Sequence, residues 1–170
     1  MKNFFKNQKA CPQCLQRSYG RRGITVMEML IVVALIGIIV TIALPQFSKI
    51  KENQVFKNTV EDIISALHNA QSQSLASTNF SEYGVHFQPN LIVIFKGKTF
   101  LSESVDNNTI NIISPANISN VSLDGGSSTV GDVYFQRLSG VPSKTGTITV
   151  STFSYSKIIT ISATGVVSVN

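Results

Sequence analysis

The sequence predicts an α+β fold, a long N-terminal helix packed on a C-terminal antiparallel β-sheet head, and three observations predict it. An apolar run of 21 residues, Ile24 to Leu44, is broken only by Thr25, Glu28 and Thr41. A stripe of apolar and small residues at helical spacing follows it, to about Ala76. The rest is rich in Ser, Thr, Asn, Val and Ile, in short runs separated by turn signals, as in a meandering sheet. At 170 residues the chain has room for one domain of ordinary size plus an extension.

The net charge of +5 is unevenly placed. Lys2, Lys6, Lys9, Arg17, Arg21 and Arg22 put six cations and no acid into residues 1–23, leaving eight cations against nine acids for the remainder. The basic excess is therefore a property of the N-terminus. It does not describe a nucleic-acid-binding face of the head.

An apolar helix of about 20 residues crosses the hydrocarbon core of a bilayer. Core helices of soluble domains keep a polar face, and Ile24 to Leu44 has none, so the run reads as a membrane span. The cations before it, with only Lys49 and Lys51 soon after, predict a cytoplasmic N-terminus and an exported head. A secretory signal would have a shorter apolar core followed by a small-residue cleavage site. Here the run is longer and the small residue, Gly23, precedes it.

The basic leader, Gly23, the pentapeptide Ile24-Thr25-Val26-Met27-Glu28, Gly37 within the run and Pro45 at its end agree in register. Together they resemble the class III signal of type IV prepilins and type II secretion pseudopilins. That resemblance covers roughly Arg21 to Gln54 and implies a type IV pilin-like fold. It further implies a prepilin peptidase that cuts after Gly23 on the cytoplasmic side and N-methylates Ile24. Four segments follow: a leader over 1–23, a transmembrane and assembly helix over 24–45, an amphipathic continuation over 46–77, and a β-rich head over 78–170.

Glu28 is the costly residue of the run, because a carboxylate within a membrane is rarely tolerated without a partner. Cleavage after Gly23 would create a cation. By the family mechanism, Glu28 of an incoming subunit pairs with the Ile24 amine of a neighbour already in the filament. The alternative is a carboxylate close enough to the cytoplasmic interface to stay wet, since Glu28 lies about 6–8 Å from the mature terminus at 1.5 Å per residue. Thr25 and Glu28 are thus the candidate assembly residues, Gly23 and Ile24 the processing site, and Pro45 the expected kink, having no amide hydrogen to donate.

Cys11-Pro12-Gln13-Cys14 forms a CxxC, but a closed zinc site needs four ligands and the chain has no second pair. No βαβ pattern surrounds it, and the leader that carries it is removed, so no metal and no cofactor are expected. The mature chain would then lack the C-terminal disulfide that many pilins carry.

Beyond the span, Val55, Phe56, Val60, Ile63, Ile64, Leu67, Ala70, Ser74 and Leu75 hold one face of a helix expected to run from about Ile24 to Ala76, ended by the Asn and Ser residues of Ser77 to Ser81. The expected strands are Tyr83–Phe87, Leu91–Phe95, Val133–Leu138, Thr147–Phe153, Lys157–Ala163 and Val166–Val169. Val105 to Thr129 is less regular, with an exposed loop over Asp124 to Ser128. The pieces "LHNAQSQSLAS", "YGVHF", "VYFQRLSG" and "KIITISATGVVSV" resemble the minor pilins and pseudopilins of the GspH/FimT type. Such proteins initiate or tip a filament or occupy it as scarce subunits.

No H-E-x-x-H, G-x-S-x-G or phosphate-cradling G-x-x-x-x-G-K-[ST] is present. His68 and His86 read as packing or surface residues, and Glu61-Asp62 do not face each other across a cleft. No catalytic residue is assigned and the chain is not expected to be an enzyme. The first functional reading is a filament subunit whose partners are the prepilin peptidase, other pilin or pseudopilin subunits and the membrane. The second is a DNA-capturing minor pilin. The third is a permanently membrane-anchored adhesin. Some FimT-like proteins bind DNA through arginines near a C-terminal glycine turn. Gly165-Val166-Val167-Ser168-Val169 has none, which argues against nucleic acid.

Overall fold

The computed structural model describes residues 23–170. The leader expected over residues 1–23 lies outside the described residues except for Gly23, as do the Cys11/Cys14 pair and the side chain of Pro45. Two compact units divide the chain, the first ending at Thr41 and the second covering Ile42–Asn170.

A single helix, α1, runs over Val26–Leu75, 50 residues, and its helical backbone continues through Pro45. Its first part is long and apolar enough to cross a membrane, with none of the apolar window buried. Its last part buries Phe56, Thr59, Val60, Ile63, Ala66, Leu67, Ala70 and Ser74, the three-and-four spacing of one helix face. Val55 and Ile64, expected on that face, are only half-buried, and Leu75 at its end is exposed. The helix stops where Ser77 turns left-handed, and a short 3-10 turn over Thr78–Phe80 leads into the head.

The head is antiparallel throughout, but it is two sheets where one meander was expected. Strands β1 (Tyr83–Gln88), β2 (Leu91–Lys96), β3 (Asn108–Asn111) and β6 (Gly131–Phe135) form the first, in the order β3-β2-β1-β6. Strands β4 (Asn117–Leu123), β5 (Gly126–Ser128), β7 (Gly146–Ser151), β8 (Ser156–Ile161) and β9 (Val167–Val169) form the second, in the order β5-β4-β7-β8-β9. One core joins α1 to both sheets: Ile63, Leu67 and Ala70 pack with Val85, Phe87 and Val133 of the first and with Val121, Ile148 and Ile159 of the second.

Expected strands are found at β1, β2 and β6 to β9, shifted at their ends. The strand beginning at Val133 stops at Phe135, not Leu138, because Gln136 to Gly140 closes a turn. There Leu138 takes a left-handed φ of 66° and its amide donates to the Ser74 carbonyl. β3, β4 and β5 occupy the segment read as irregular. Within the expected loop, Asp124-Gly125 makes the turn while Gly126–Ser128 pairs as an exposed edge strand.

Five of the six residues of β1 are buried because both faces of the first sheet are covered. Val85 and Phe87 face the main core, while the connection from β2 to β3 lays Phe100 over the other face, against His86 and Phe95. Gly84 is required there, since a Cβ at that position would come within 2.5 Å of the Phe95 ring and 2.7 Å of the Val133 carbonyl oxygen.

Candidate functional site

Gly23, Ile24 and Thr25 precede the first helical residue and are exposed, an open stretch of backbone of the kind proteases need. The Thr25 hydroxyl accepts a hydrogen bond from the Glu28 amide at 3.2 Å, and the Thr25 carbonyl accepts from Met29 at 3.1 Å. Thr25 is therefore the N-cap of α1, and Glu28 stands at the third helical position. Thr25-Val26-Met27-Glu28 has the spacing of a capping box, a signal present in the sequence beside the assembly role the resemblance implies for both residues. A carboxylate in the first turn is also favoured by the helix dipole.

The third polar member of the run is satisfied internally. The Thr41 hydroxyl donates to the Gly37 carbonyl one turn back, so it needs no outside partner. Glu28 forms no ion pair among the described residues, and its side chain is exposed. Thr25 and Thr41 are thus accounted for within the helix, and the Glu28 carboxylate is the polar group of the span left without a side-chain partner there.

In the head, His86 is buried and uses both ring nitrogens. The Gln88 amide donates to Nε2 at 2.9 Å, which places the ring proton on Nδ1, hydrogen-bonded to an Asp132 carboxylate oxygen. Phe100 stacks on the ring at 3.9 Å between centroids, only 8° from parallel. This is a packed histidine with its polar atoms satisfied, as the sequence suggested. Asp132, 46 residues away, could not have been identified as its partner from spacing.

A further contact ties α1 to the β7-β8 turn. The Glu52 carboxylate accepts from the Ser154 amide at 2.8 Å and the Ser154 hydroxyl at 3.2 Å, and Tyr155 stacks on Phe56. Hydrogen bonding, from Thr152 first with Ser154 adding to it, holds the Glu52 pKa below its ordinary value against the opposing effect of desolvation. A cleft of about 620 Å³ opens beside this turn, lined by Asn90, Ser114, Asn117, Ser151 and Phe153 among others, with no ionisable group in its walls. No cluster of three or more metal-ligating side chains occurs among the described residues.

Comparison of the chain with models of known families, with curated proteins and with solved structures finds no match.

Proposed function

We propose that this chain is a prepilin-like filament subunit, a minor pilin or pseudopilin of a type IV pilus or type II secretion system. It is cleaved after Gly23, N-methylated at Ile24 and assembled by packing of its N-terminal helix. Its partners in this reading are a prepilin peptidase, other subunits of the filament and the cytoplasmic membrane, with the N-terminus cytoplasmic and the head exported. Its work is assembly, not catalysis.

The observation that carries the proposal is the unshared carboxylate of Glu28 at the head of an apolar helix, four residues after an exposed Gly23–Ile24 junction. A lone charge inside a bilayer is disfavoured by about 3 kcal/mol on insertion scales, so a membrane helix that retains one has a use for it. Cutting at Gly23 supplies a positive amine one helical turn away in sequence. Within one subunit Thr25 already caps the helix, which leaves the carboxylate free to meet the amine of another.

Co-expression with a prepilin peptidase is expected to yield a chain beginning with N-methylated Ile24, and Gly23→Leu is expected to stay full length. Intact-mass measurement of the membrane fraction decides it. A mature start at any other residue ends the proposal.

A further inference from the structure

We propose that the β7-β8 turn is an interfacial foot: Phe153 seats the head on the surface of the phospholipid bilayer that α1 enters. The inference rests on the membrane-spanning reading of Ile24 to Leu44 and extends it to the head.

Phe153 is 92% exposed, among the most exposed large apolar side chains of the head. It is nevertheless not on a loose loop. Ser154 on one side is fixed by the Glu52 carboxylate, Thr152 on the other shares three hydrogen bonds with Tyr155 through its amide and hydroxyl, and the Tyr155 ring stacks on Phe56. The ordering cost of presenting the ring is met before any partner arrives.

The turn also points the right way. At the other end of β8, in the turn to β9, Gly165 lies against Gln71, and the Gln71 amide donates to the neighbouring Gly140 carbonyl. Strand β8 therefore runs along α1 from the level of Glu52 toward that of Gln71, and the turn that precedes it is directed toward Ile42, all within the second unit. Glu52 is eight residues past Leu44, about 12 Å along a helix. Helical side chains lean toward the helix start by about one position, so the groups Glu52 grips lie near the level of Lys51, and Phe153 stands beyond them at the tip of the turn. The interfacial layer of a bilayer extends roughly 5–7 Å beyond its hydrocarbon core. That depth coincides with Phe47 to Lys49.

The flanking chemistry suits the same surface. Phe47 and Ile50 are exposed on this stretch of α1, and Lys49 and Lys51 alternate with them. Apolar side chains among lysines match an acyl boundary beneath anionic headgroups.

The chain contains no tryptophan, so single substitutions report depth without background. Full-length chains carrying Phe153→Trp, Phe80→Trp or Ile36→Trp would be reconstituted in vesicles of phosphatidylcholine and phosphatidylglycerol, with and without brominated acyl chains. Phe80, 86% exposed beyond the other end of α1, is the water reference. Ile36, within the apolar run, is the core reference. The expected result is that Phe153→Trp emits to the blue of Phe80→Trp, loses intensity in brominated lipid and is shielded from aqueous iodide. Ile36→Trp is quenched most and Phe80→Trp is not quenched. Water-like emission from Phe153→Trp with Ile36→Trp quenched overturns the foot and leaves the span intact. Failure of Ile36→Trp to quench overturns the span itself. A blue-shifted Phe153→Trp insensitive to bromination means another protein surface covers the ring, which also overturns the proposal.

Discussion

The two parts of α1 use the same backbone in opposite ways. From Val26 to Ile42 large apolar side chains point outward on every side, with exposures from 44% at Val32 to 79% at Val26. From Phe56 to Ser74 one face is almost wholly buried while Lys57, Asn58, Glu61, Asp62, Ser65, His68 and Asn69 keep the other in water. A helix in water needs a sheet to cover its apolar stripe. A helix apolar all round needs a surrounding that is itself apolar. Stability of the head should therefore depend on the second part alone, and the fate of the chain in the cell on the first.

The largest effect expected on that division is at Glu28. In the proposed reading Glu28→Leu should insert, be cut after Gly23 and accumulate in the membrane, yet be nearly absent from sheared filaments, because the charge proposed to guide docking in a low-dielectric medium is gone. Glu28→Asp, with the charge on a shorter arm, should assemble in part. Glu28→Gln tests the charge apart from the capping-box pattern, which glutamine fits as glutamate does while carrying no charge. Immunoblots of filament and membrane fractions that show Gln assembling like wild type would remove the pairing mechanism.

Next in size come core substitutions in the second part. Leu67→Ala, at a fully buried position, should cost about 2–5 kcal/mol of unfolding free energy in a fragment of residues 49–170. The fragment itself should be soluble and monomeric because the stripe from Phe56 to Ala70 is covered. Ile36→Ala in the full chain should leave head stability unchanged. Urea titration followed by circular dichroism measures the first. Hydrogen exchange of head amides in detergent measures the second, and a loss of protection there would mean the parts are coupled. Gly84→Ala should cost about 1–3 kcal/mol or more, since both the Phe95 ring and the Val133 backbone carbonyl must shift to admit a methyl group.

Much of this architecture could be read from periodicity, and what could not has identifiable causes. The first part of α1 was legible from its unbroken apolar length and the second from its clean helical period, and β1, β2 and β8 because β-branched and aromatic residues concentrate there. β4 was hidden by its own geometry. Its pairing with β7 slips between Ile118 and Asn120, so a bulge at Ser119 sends Ile118 and Val121, three apart, into the same core. That spacing is not the alternation by which a strand is recognised. β3 and β5 are short edge strands, Asn-Thr-Ile-Asn and Gly-Ser-Ser, whose residues have weak or negative strand preference apart from Thr109 and Ile110. The second sheet was hidden with them. At the N-terminus the capping role of Thr25 was legible as T-x-x-E. The clasp on Ser154 was not, because Glu52 lies 102 residues from its partner and looks in sequence like any charged position on a helix.

That clasp gives the smallest expected effect, and the sharpest in its pH dependence. The Glu52 carboxylate accepts hydrogen bonds in the folded head that it lacks in the unfolded chain, so its folded pKa lies below the ordinary 4.5. A group depressed in the folded state contributes stability that is complete above its unfolded pKa and disappears as pH falls through the folded value. Glu52→Gln keeps the shape and can offer Ser154 an amide oxygen, but it does not titrate. The difference in urea midpoint between wild-type and Glu52→Gln fragments should therefore be constant from neutrality to about pH 5, then shrink through the acid range below 4.5. The carboxylate is exposed, so added salt should reduce the difference at every pH. A difference that grew on acidification would have the wrong sign for a depressed carboxylate and would remove Glu52 as the anchor of the β7-β8 turn. A difference of the expected sign should be matched by a change in the turn itself, with faster exchange of the Ser154 amide in Glu52→Gln while amides of β7 away from the turn stay protected.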